Sequence, residues 1–450
     1  MIQTVHAGLK TGCRTLIALV ALSATVGAAR SVAQSEQSVQ TTQPVTTLTL
    51  SQAEDLAVRN HPRVASSNLR ALAADKVVTE VRAAYFPTLM GNVTGTIADE
   101  GTIIAAGALQ TSSLSTRTAG GVSLNQLITD FGRTFNLTRS ARLLAAGQKQ
   151  TAEDTRAQVL LEVRQAYYQV LLAEAVQNAA RAELESRRLS LRQISALAQS
   201  QMKSTLDVNF AAVLTSEAEL AAYQAESNVQ ESKAQLTAAL GSEDDSDYKL
   251  VEDPLPAPME PNAEILIDRA LHDRPDLQAL QLNGNAAHNY AQAEKKLYYP
   301  SVSLIGAAGE IPEHDPTIHN DQYGAAGVNI TIPIFNGKLY SARHGEAEFR
   351  AQAADKDVDN LKVKIARDVR IAWFEANNAF RRLDVTARLV EQANQALRLA
   401  QARYNNGLGS IVELNEAQLS QTSAEITAAS AKYEYMSRRA MLDYMSGAIR

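Results

Sequence analysis

Two hydrophobic periods alternate along this chain. Residues 148–240, 346–406 and 410–446 hold neither Gly nor Pro and are rich in Ala, Gln, Glu, Leu and Arg. Strong helix formers without a breaker predict uninterrupted helices. The run from about Leu137 to Lys203 spans roughly 67 residues, on the order of 100 Å at 1.5 Å per residue. Helices of that length pack side by side as coiled coils, and abundant alanine allows their axes to approach closely. Between the helical stretches the period falls to two. Val328, Ile330, Ile332 and Ile334 alternate with Asn329, Thr331 and Pro333, while Leu89, Gly91, Val93, Gly95 and Ile97 alternate with Thr88, Asn92, Thr94 and Thr96. Shorter alternations occupy Val122-Ser123-Leu124-Asn125 and Ser301-Val302-Ser303-Leu304. Alternating segments of about ten residues, separated by polar or Gly-rich loops, predict strands of a membrane barrel. The loops are expected at 98–118 and 310–322.

The pattern occurs twice. Asn60-His61-Pro62-Arg63-Val64 resembles Asp273-Arg274-Pro275-Asp276-Leu277, and Tyr85-Phe86-Pro87 resembles Tyr298-Tyr299-Pro300, at a common offset of about 213. Further on, Ala166-Tyr167-Tyr168 aligns with Ala372-Trp373-Phe374, Ser204 to Asn209 with Ser410 to Asn415, and Gly241 with Gly447, at an offset of about 206. The change of offset places a deletion in the second copy between Pro300 and Phe335. The expected organisation is a first repeat over 34–241 (helix, β-hairpin about 86–131, long helix pair about 137–240) and a second over 262–450 (helix, β-hairpin about 300–335, long helix pair about 338–446). An acidic, Pro-rich linker, 242–261, joins them.

Lys10 and Arg14 precede an apolar stretch over 16–26 and then Ala28, Ala29 and Ser31-Val32-Ala33. This order predicts a signal peptide over 1–33, cleaved after Ala29 or Ala33. The one cysteine, Cys13, falls inside it and before the apolar stretch, so the mature chain is expected to have no disulfide or thiol chemistry. No later run of 18 or more uncharged apolar residues could span a bilayer as a helix. Membrane residence therefore requires a barrel. A net charge of −6 carries no basic field for nucleic acid.

The four alternating segments cannot close a barrel alone, since the smallest membrane barrels have about eight strands. Two copies would give about eight strands around a lumen filled by side chains, and three about twelve around open water. Transport thus requires at least a trimer.

Leu50-Ser51-Gln52-Ala53, Asn60-His61-Pro62, Tyr85-Phe86-Pro87, Ile332-Pro333-Ile334-Phe335-Asn336-Gly337-Lys338 and Ala402-Arg403-Tyr404-Asn405-Asn406-Gly407 together resemble the TolC-like outer-membrane efflux family, over about Leu48 to Gly447. The resemblance implies a mainly α fold with membrane β. Long antiparallel coiled-coil helices form an α-barrel, and four strands per protomer enter a shared trimeric barrel of about twelve strands. It further implies an outer-membrane duct with a large periplasmic portion, part of a tripartite efflux or type I secretion system. Small molecules or polypeptides would pass through it. The implied partners are a homotrimer, a periplasmic adaptor, an inner-membrane pump of the RND, ABC or MFS type, and outer-membrane lipid. No cofactor, metal or nucleic acid is expected.

A duct needs selectivity, gating and docking rather than catalysis. Gate candidates lie where the long helices turn back. In the second copy, Tyr404-Asn405-Asn406-Gly407-Leu408-Gly409-Ser410 forms the turn, and Glu413 and Glu416 follow, three apart and so on one face. They match the positions where the family places aperture carboxylates, and repeated around a threefold axis they would form acidic rings that favour cations. Ordinary exposed glutamates near a helix N-terminus are the competing reading. Where family members hold a basic residue in this turn, this chain has Gly409. Its counterpart in the first copy is Lys203, with Asp207 standing where Glu413 stands, so Lys203 is expected to supply the closing contact. The first tip, Gln201-Met202-Lys203-Ser204-Thr205, lacks glycine. Both tips are the expected adaptor-docking surfaces.

Other features read as structure. Asp130-Phe131-Gly132 spells a kinase tripeptide without its companion motifs and is instead the counterpart of Phe335-Asn336-Gly337, a strand-to-helix junction. Glu310, Glu313, His314, Asp315, His319 and Asp321 crowd one loop without ordered metal-ligand spacing. Tyr167-Tyr168 and Trp373-Phe374 are expected to pack between helices. The rival to the duct is a periplasmic coiled-coil adaptor or scaffold without a pore. That reading explains the helices but neither the alternating segments nor the duplication.

Overall fold

The computed structural model describes residues 46–97, 103–106, 109–113, 117–242, 248–256, 259–313 and 320–449. The expected signal peptide and most of the acidic loop (Glu313 side chain, His314, Asp315, His319) lie outside them.

Chain order is β1 (Thr46–Leu48), α1 (Leu50–Asn60), α2 (Pro62–Ala83), β2 (Thr88–Thr96), β3 (Ile103–Ala106), β4 (Leu109–Ser113), β5 (Arg117–Thr129), α3 (Arg133–Gln199), α4 (Thr205–Ala239) and β6 (Tyr248–Leu250). The second half follows as α5 (Ala263–Asp273), α6 (Pro275–Lys295), β7 (Ser301–Glu313), β8 (Gln322–Thr331), α7 (Leu339–Asn405) and α8 (Ile411–Met445). The repeat is legible in element lengths. Helices α1 and α5 have 11 residues each, α3 and α7 have 67, and α4 and α8 have 35.

Matching residues bend the two halves alike. Proline disfavours helical backbone at the residue before it. His61 and Arg274 accordingly sit at φ −68°, ψ 121° and φ −66°, ψ 122°, turning α1 into α2 and α5 into α6. At each strand-to-helix junction two consecutive residues adopt positive φ, Phe131 and Gly132 in one copy and Gly337 and Lys338 in the other. Asp130 secures the first junction by accepting hydrogen bonds from the Thr134 N–H at 2.6 Å and the Gly132 N–H at 3.1 Å.

One four-stranded sheet runs in the order β2-β5-β7-β8, all antiparallel. Directly opposed residues share a face. Register therefore collects Leu89, Val93, Val122, Leu124, Val328 and Ile330 on one face. Asn92, Thr94, Ser123, Asn125, Ser303 and Asn329 lie on the other, together with Met90 and Ile305. The apolar face is bare, with Val93 86% and Ile330 59% exposed. On the polar face Tyr323 lies over two glycines. A Cβ on Gly121 would meet the Tyr323 hydroxyl at 2.2 Å, and one on Gly309 would meet it at 2.6 Å.

Several elements depart from expectation. The stretch 98–118, read as loop, holds the β3–β4 hairpin and the first residues of β5. The strand expected to reach Ile334 ends at Thr331, because Pro333 has no N–H to offer a ladder. The linker contains β6, which pairs in parallel with β1. The Tyr167 side chain fastens this small ribbon to α3: its hydroxyl lies 2.9 Å from the Leu48 carbonyl and accepts the Val251 N–H at 3.1 Å. Burial pushes its pKa to about 12, so the hydroxyl keeps its proton. Tyr167 and Tyr168 are buried and Trp373 packs against a second core cluster, whereas Phe374 is 59% exposed. Among the described residues no helix is long and apolar enough to cross a membrane.

Candidate functional site

The two helix tips share one turn. In the second copy Gly407 takes φ 71° and the Leu408 N–H reaches back to the Arg403 carbonyl at 2.9 Å, closing α7 as a left-handed C-cap. Ser410 then caps α8 by accepting the Glu413 N–H at 3.1 Å. In the first copy Gln201 replaces the glycine at φ 59°, with the Met202 N–H on the Leu197 carbonyl at 2.9 Å. Ser204 and Asp207 form a capping box on α4. The glycine-free turn is therefore built like its twin, with a left-handed glutamine. Such a residue costs roughly 1–2 kcal/mol. Gln201→Gly is expected to stabilise the chain by about 1 kcal/mol, readable as a rise in thermal midpoint. An unchanged or lower midpoint would show that the side chain compensates.

The four gate candidates have different surroundings. The Asp207 carboxylate accepts the Ser204 N–H at 3.2 Å, so it is engaged in capping. Glu413 pairs with Arg403, Oε1 to Nε at 3.1 Å, and Arg403 also donates to the Leu408 carbonyl at 3.2 Å. Glu416 is exposed and makes no hydrogen bond or ion pair within the chain among the described residues. It stands on a groove of about 790 Å³ between α3, α4 and α8, walled by Phe210, Leu214 and Leu419. Lys203 does not reach Glu413. Its Nζ lies 5.3 Å from the Tyr404 ring centroid, a cation–π contact that joins the first tip to the second. Of the docking candidates, Gln201, Met202, Ser204, Thr205, Asn405, Asn406, Gly407, Leu408 and Ser410 are exposed, while Tyr404 and Gly409 are half-buried. A Cβ on Gly409 would press on both Arg403 and Glu413 at 3.2 Å, so the glycine leaves room for that ion pair.

Two residues to which the sequence assigned no role do much of the joining. Arg403 clamps the second turn. Farther up, Arg187 is 5% exposed and ties α3 to α8. Its Nε donates to Glu183 at 2.6 Å, and its Nη1 to Asn415 at 2.6 Å and Gln418 at 2.9 Å. The Thr422 hydroxyl reaches the second Glu183 oxygen at 3.0 Å, and Gln418 donates to Ser186 at 3.2 Å. The signal was present. Arg187 falls in the apolar seam Ala180, Leu184, Ile194 at helical spacing, where an arginine needs partners.

Among the described residues no group of three His, Cys, Asp or Glu side chains could hold a metal ion.

A bare apolar sheet face continuous with four long helices defines an outer-membrane protein with a large periplasmic part. The chain belongs to the outer membrane efflux protein family, whose model matches residues 54–242 and 266–448. It is 26% identical over 386 residues to the outer membrane protein OprJ of Pseudomonas aeruginosa, covering 83% of this chain and 78% of that protein. With the outer membrane protein TolC of Vibrio cholerae it shares 23% over 180 residues, covering 39% of this chain and 41% of that one. The outer-membrane channel OprN has the same fold, with a TM-score of 0.76 at 20% identity over 88% of this chain and 89% of that one. The chain is thus a transport-family protein rather than an enzyme.

Proposed function

We propose that this chain is one subunit of a homotrimeric duct in the outer membrane. In this reading it carries small molecules or polypeptides outward from a periplasmic adaptor and an inner-membrane pump of the RND, ABC or MFS type. The observation that carries the proposal is the four-stranded sheet. Its apolar face needs lipid, its polar face suits water, and its edges β2 and β8 pair with no further strand among the described residues. Edges left open in lipid are not tolerated, so neighbouring chains supply the missing ladders. Three copies give about twelve strands and a wet lumen. Below the sheet, α3 and α7, at 67 residues each, reach about 100 Å into the periplasm.

At the far end the tips form the aperture and the adaptor-docking rim. Glu416, unpaired, and Glu413, held by Arg403, supply rings of negative charge that favour cations. Lys203 on Tyr404 holds the two tips of each subunit together. An adaptor without a pore would account for the helices but gives the amphipathic sheet no role.

Conductance in planar bilayers tests the proposal. The purified protein is expected to show small, cation-selective currents, and Lys203→Ala is expected to raise them by a few fold, since an exposed cation–π contact contributes about 0.5–1 kcal/mol per subunit. Absence of any current, even after both tips are altered, would reject the duct. Currents unchanged by Lys203→Ala would reject Lys203 alone.

A further inference from the structure

We propose that the cleft between the opening turns of α3 and Tyr85 of the α2–β2 connection, just below the sheet, binds the phosphate headgroup of an anionic phospholipid from the inner leaflet of the outer membrane. The cleft, about 290 Å³, is walled by Tyr85, Phe135, Thr138, Arg139 and Arg142. Tyr85 lies between the end of α2 at Ala83 and the start of β2 at Thr88, and the other four occupy the opening turns of α3.

Three observations converge on an anionic headgroup. Arg139 and Arg142 are exposed, and neither guanidinium has an ion pair or hydrogen bond among the described residues. Two uncompensated guanidinium groups favour a ligand of net negative charge, and their planar forks match phosphate oxygens. Second, Thr138 is only 4% exposed, yet its hydroxyl has no hydrogen-bond partner. Thr151, Thr155 and Thr215 in the same long helices bond back to the carbonyl four residues earlier, at 3.1, 2.9 and 2.7 Å. A buried hydroxyl left unmet costs stability unless a ligand or water meets it, and this one stands on the cleft wall.

Third, the level is right. Arg139 lies about 9 Å along α3 from its first residue at 1.5 Å per residue, roughly the depth of a headgroup layer outside the hydrocarbon. Exposed rings ring that level, with Tyr85 at 45%, Phe86 at 62% and Phe135 at 58%, as in the aromatic girdles of membrane barrels. They offer apolar surface to an acyl chain, which a free anion would not use. Thr138 belongs to the buried stripe of small residues Thr134, Ala141, Ala145 and Ala152 along α3, and Arg142 and Arg139 stand progressively farther round the helix toward the exposed side. The inference rests on the outer-membrane position of the sheet and not on conduction or gating.

Native mass spectrometry of the full protein, released from detergent holding equal amounts of phosphatidylglycerol and phosphatidylcholine, reads the site. The unaltered chain is expected to retain one phosphatidylglycerol per subunit in preference to phosphatidylcholine. Arg139→Gln with Arg142→Gln is expected to lower that retention about tenfold or more, with the oligomer mass unchanged. Thr138→Val, nearly isosteric, should lower it by a smaller factor. Equal retention by the unaltered and doubly substituted proteins overturns the proposal. Should the doubly substituted protein fail to assemble, undiminished retention by Thr138→Val overturns it instead. Complete displacement of the lipid by millimolar inorganic phosphate also overturns it, because the site would then be one for a free anion. A protein that keeps its lipid but conducts nothing would remove the duct and leave this site in place.

Discussion

Replacing Arg343 with methionine is expected to lower the stability of the upper helices by about 3 kcal/mol, the low end for breaking a buried ion pair. Glu294, near the end of α6, is 1% exposed, and its carboxylate faces the starts of both long helices: Arg343 Nε of α7 at 2.9 Å and Arg133 Nη2 of α3 at 3.6 Å. The two arginine side chains keep 43% and 33% of their exposure. Water screens them, which weakens each pair. The carboxylate has no such relief. Removing Arg343 leaves it with one distant partner, whereas removing Glu294 frees two arginines that can turn to solvent. Glu294→Gln should therefore cost less than Arg343→Met, and Glu294→Leu with Arg343→Met should recover part of the loss. Thermal unfolding of the detergent-purified protein orders the three. If Arg343→Met shifts the midpoint no more than Glu294→Gln, the carboxylate is not the group that needs the ion pair.

The second large effect is expected at Arg187. Arg187→Leu removes the guanidinium that bridges Glu183 on its own helix to Asn415 and Gln418 on α8. Glu183 is then left with the Thr422 hydroxyl. An uncompensated charge in a site this enclosed costs about 3–5 kcal/mol, localised where the two coiled coils meet above the tips. The cheapest relaxation is for α3 and α8 to part and admit water. The expected result is a leaky duct, seen as larger bilayer currents and greater sensitivity of cells to bulky antibiotics. Arg187→Lys should rescue little, because one ammonium cannot serve carboxylate and both amides in the same geometry. Currents equal to those of the unaltered protein, with the chain still assembled, would show that the contact is merely structural.

The long helices were legible because nothing in 148–240 or 346–406 interrupts them, and the observed 67-residue lengths of α3 and α7 follow. Alternation found β2, β5, β7 and β8 because one face of each meets lipid. It missed β3 and β4, whose Ile-Ile-Ala-Ala and Leu-Gln-Thr-Ser-Ser segments do not alternate. It missed β6 because three residues are too few to show a period. At the tips the repeat offset brought Lys203 and Asp207 into view, but offset says nothing of three-dimensional neighbours. Lys203 turns to Tyr404, and Asp207 is occupied as a cap. Glu413 found its partner in Arg403, a pairing decided by the turn between them. Arg187 and Glu294 escaped because each draws its meaning from partners on other helices, Asn415 and Gln418 for the first and Arg343 and Arg133 for the second.

The open edges of the sheet also set the order in which the molecule can be made. Each chain's helices bury cores of their own, such as the cluster around Tyr167, Leu240 and Met436, so that half can fold while the chain is alone. The strands cannot finish alone, since among the described residues the outer edges of β2 and β8 have no ladder partner. A solitary chain is thus a half-folded traveller with an adhesive flank. Under the proposed homotrimer, its entry into the bilayer is expected to slow steeply on dilution. Any factor that shields β2 or β8 in transit would protect the cell from misassembly while delaying the finished pore.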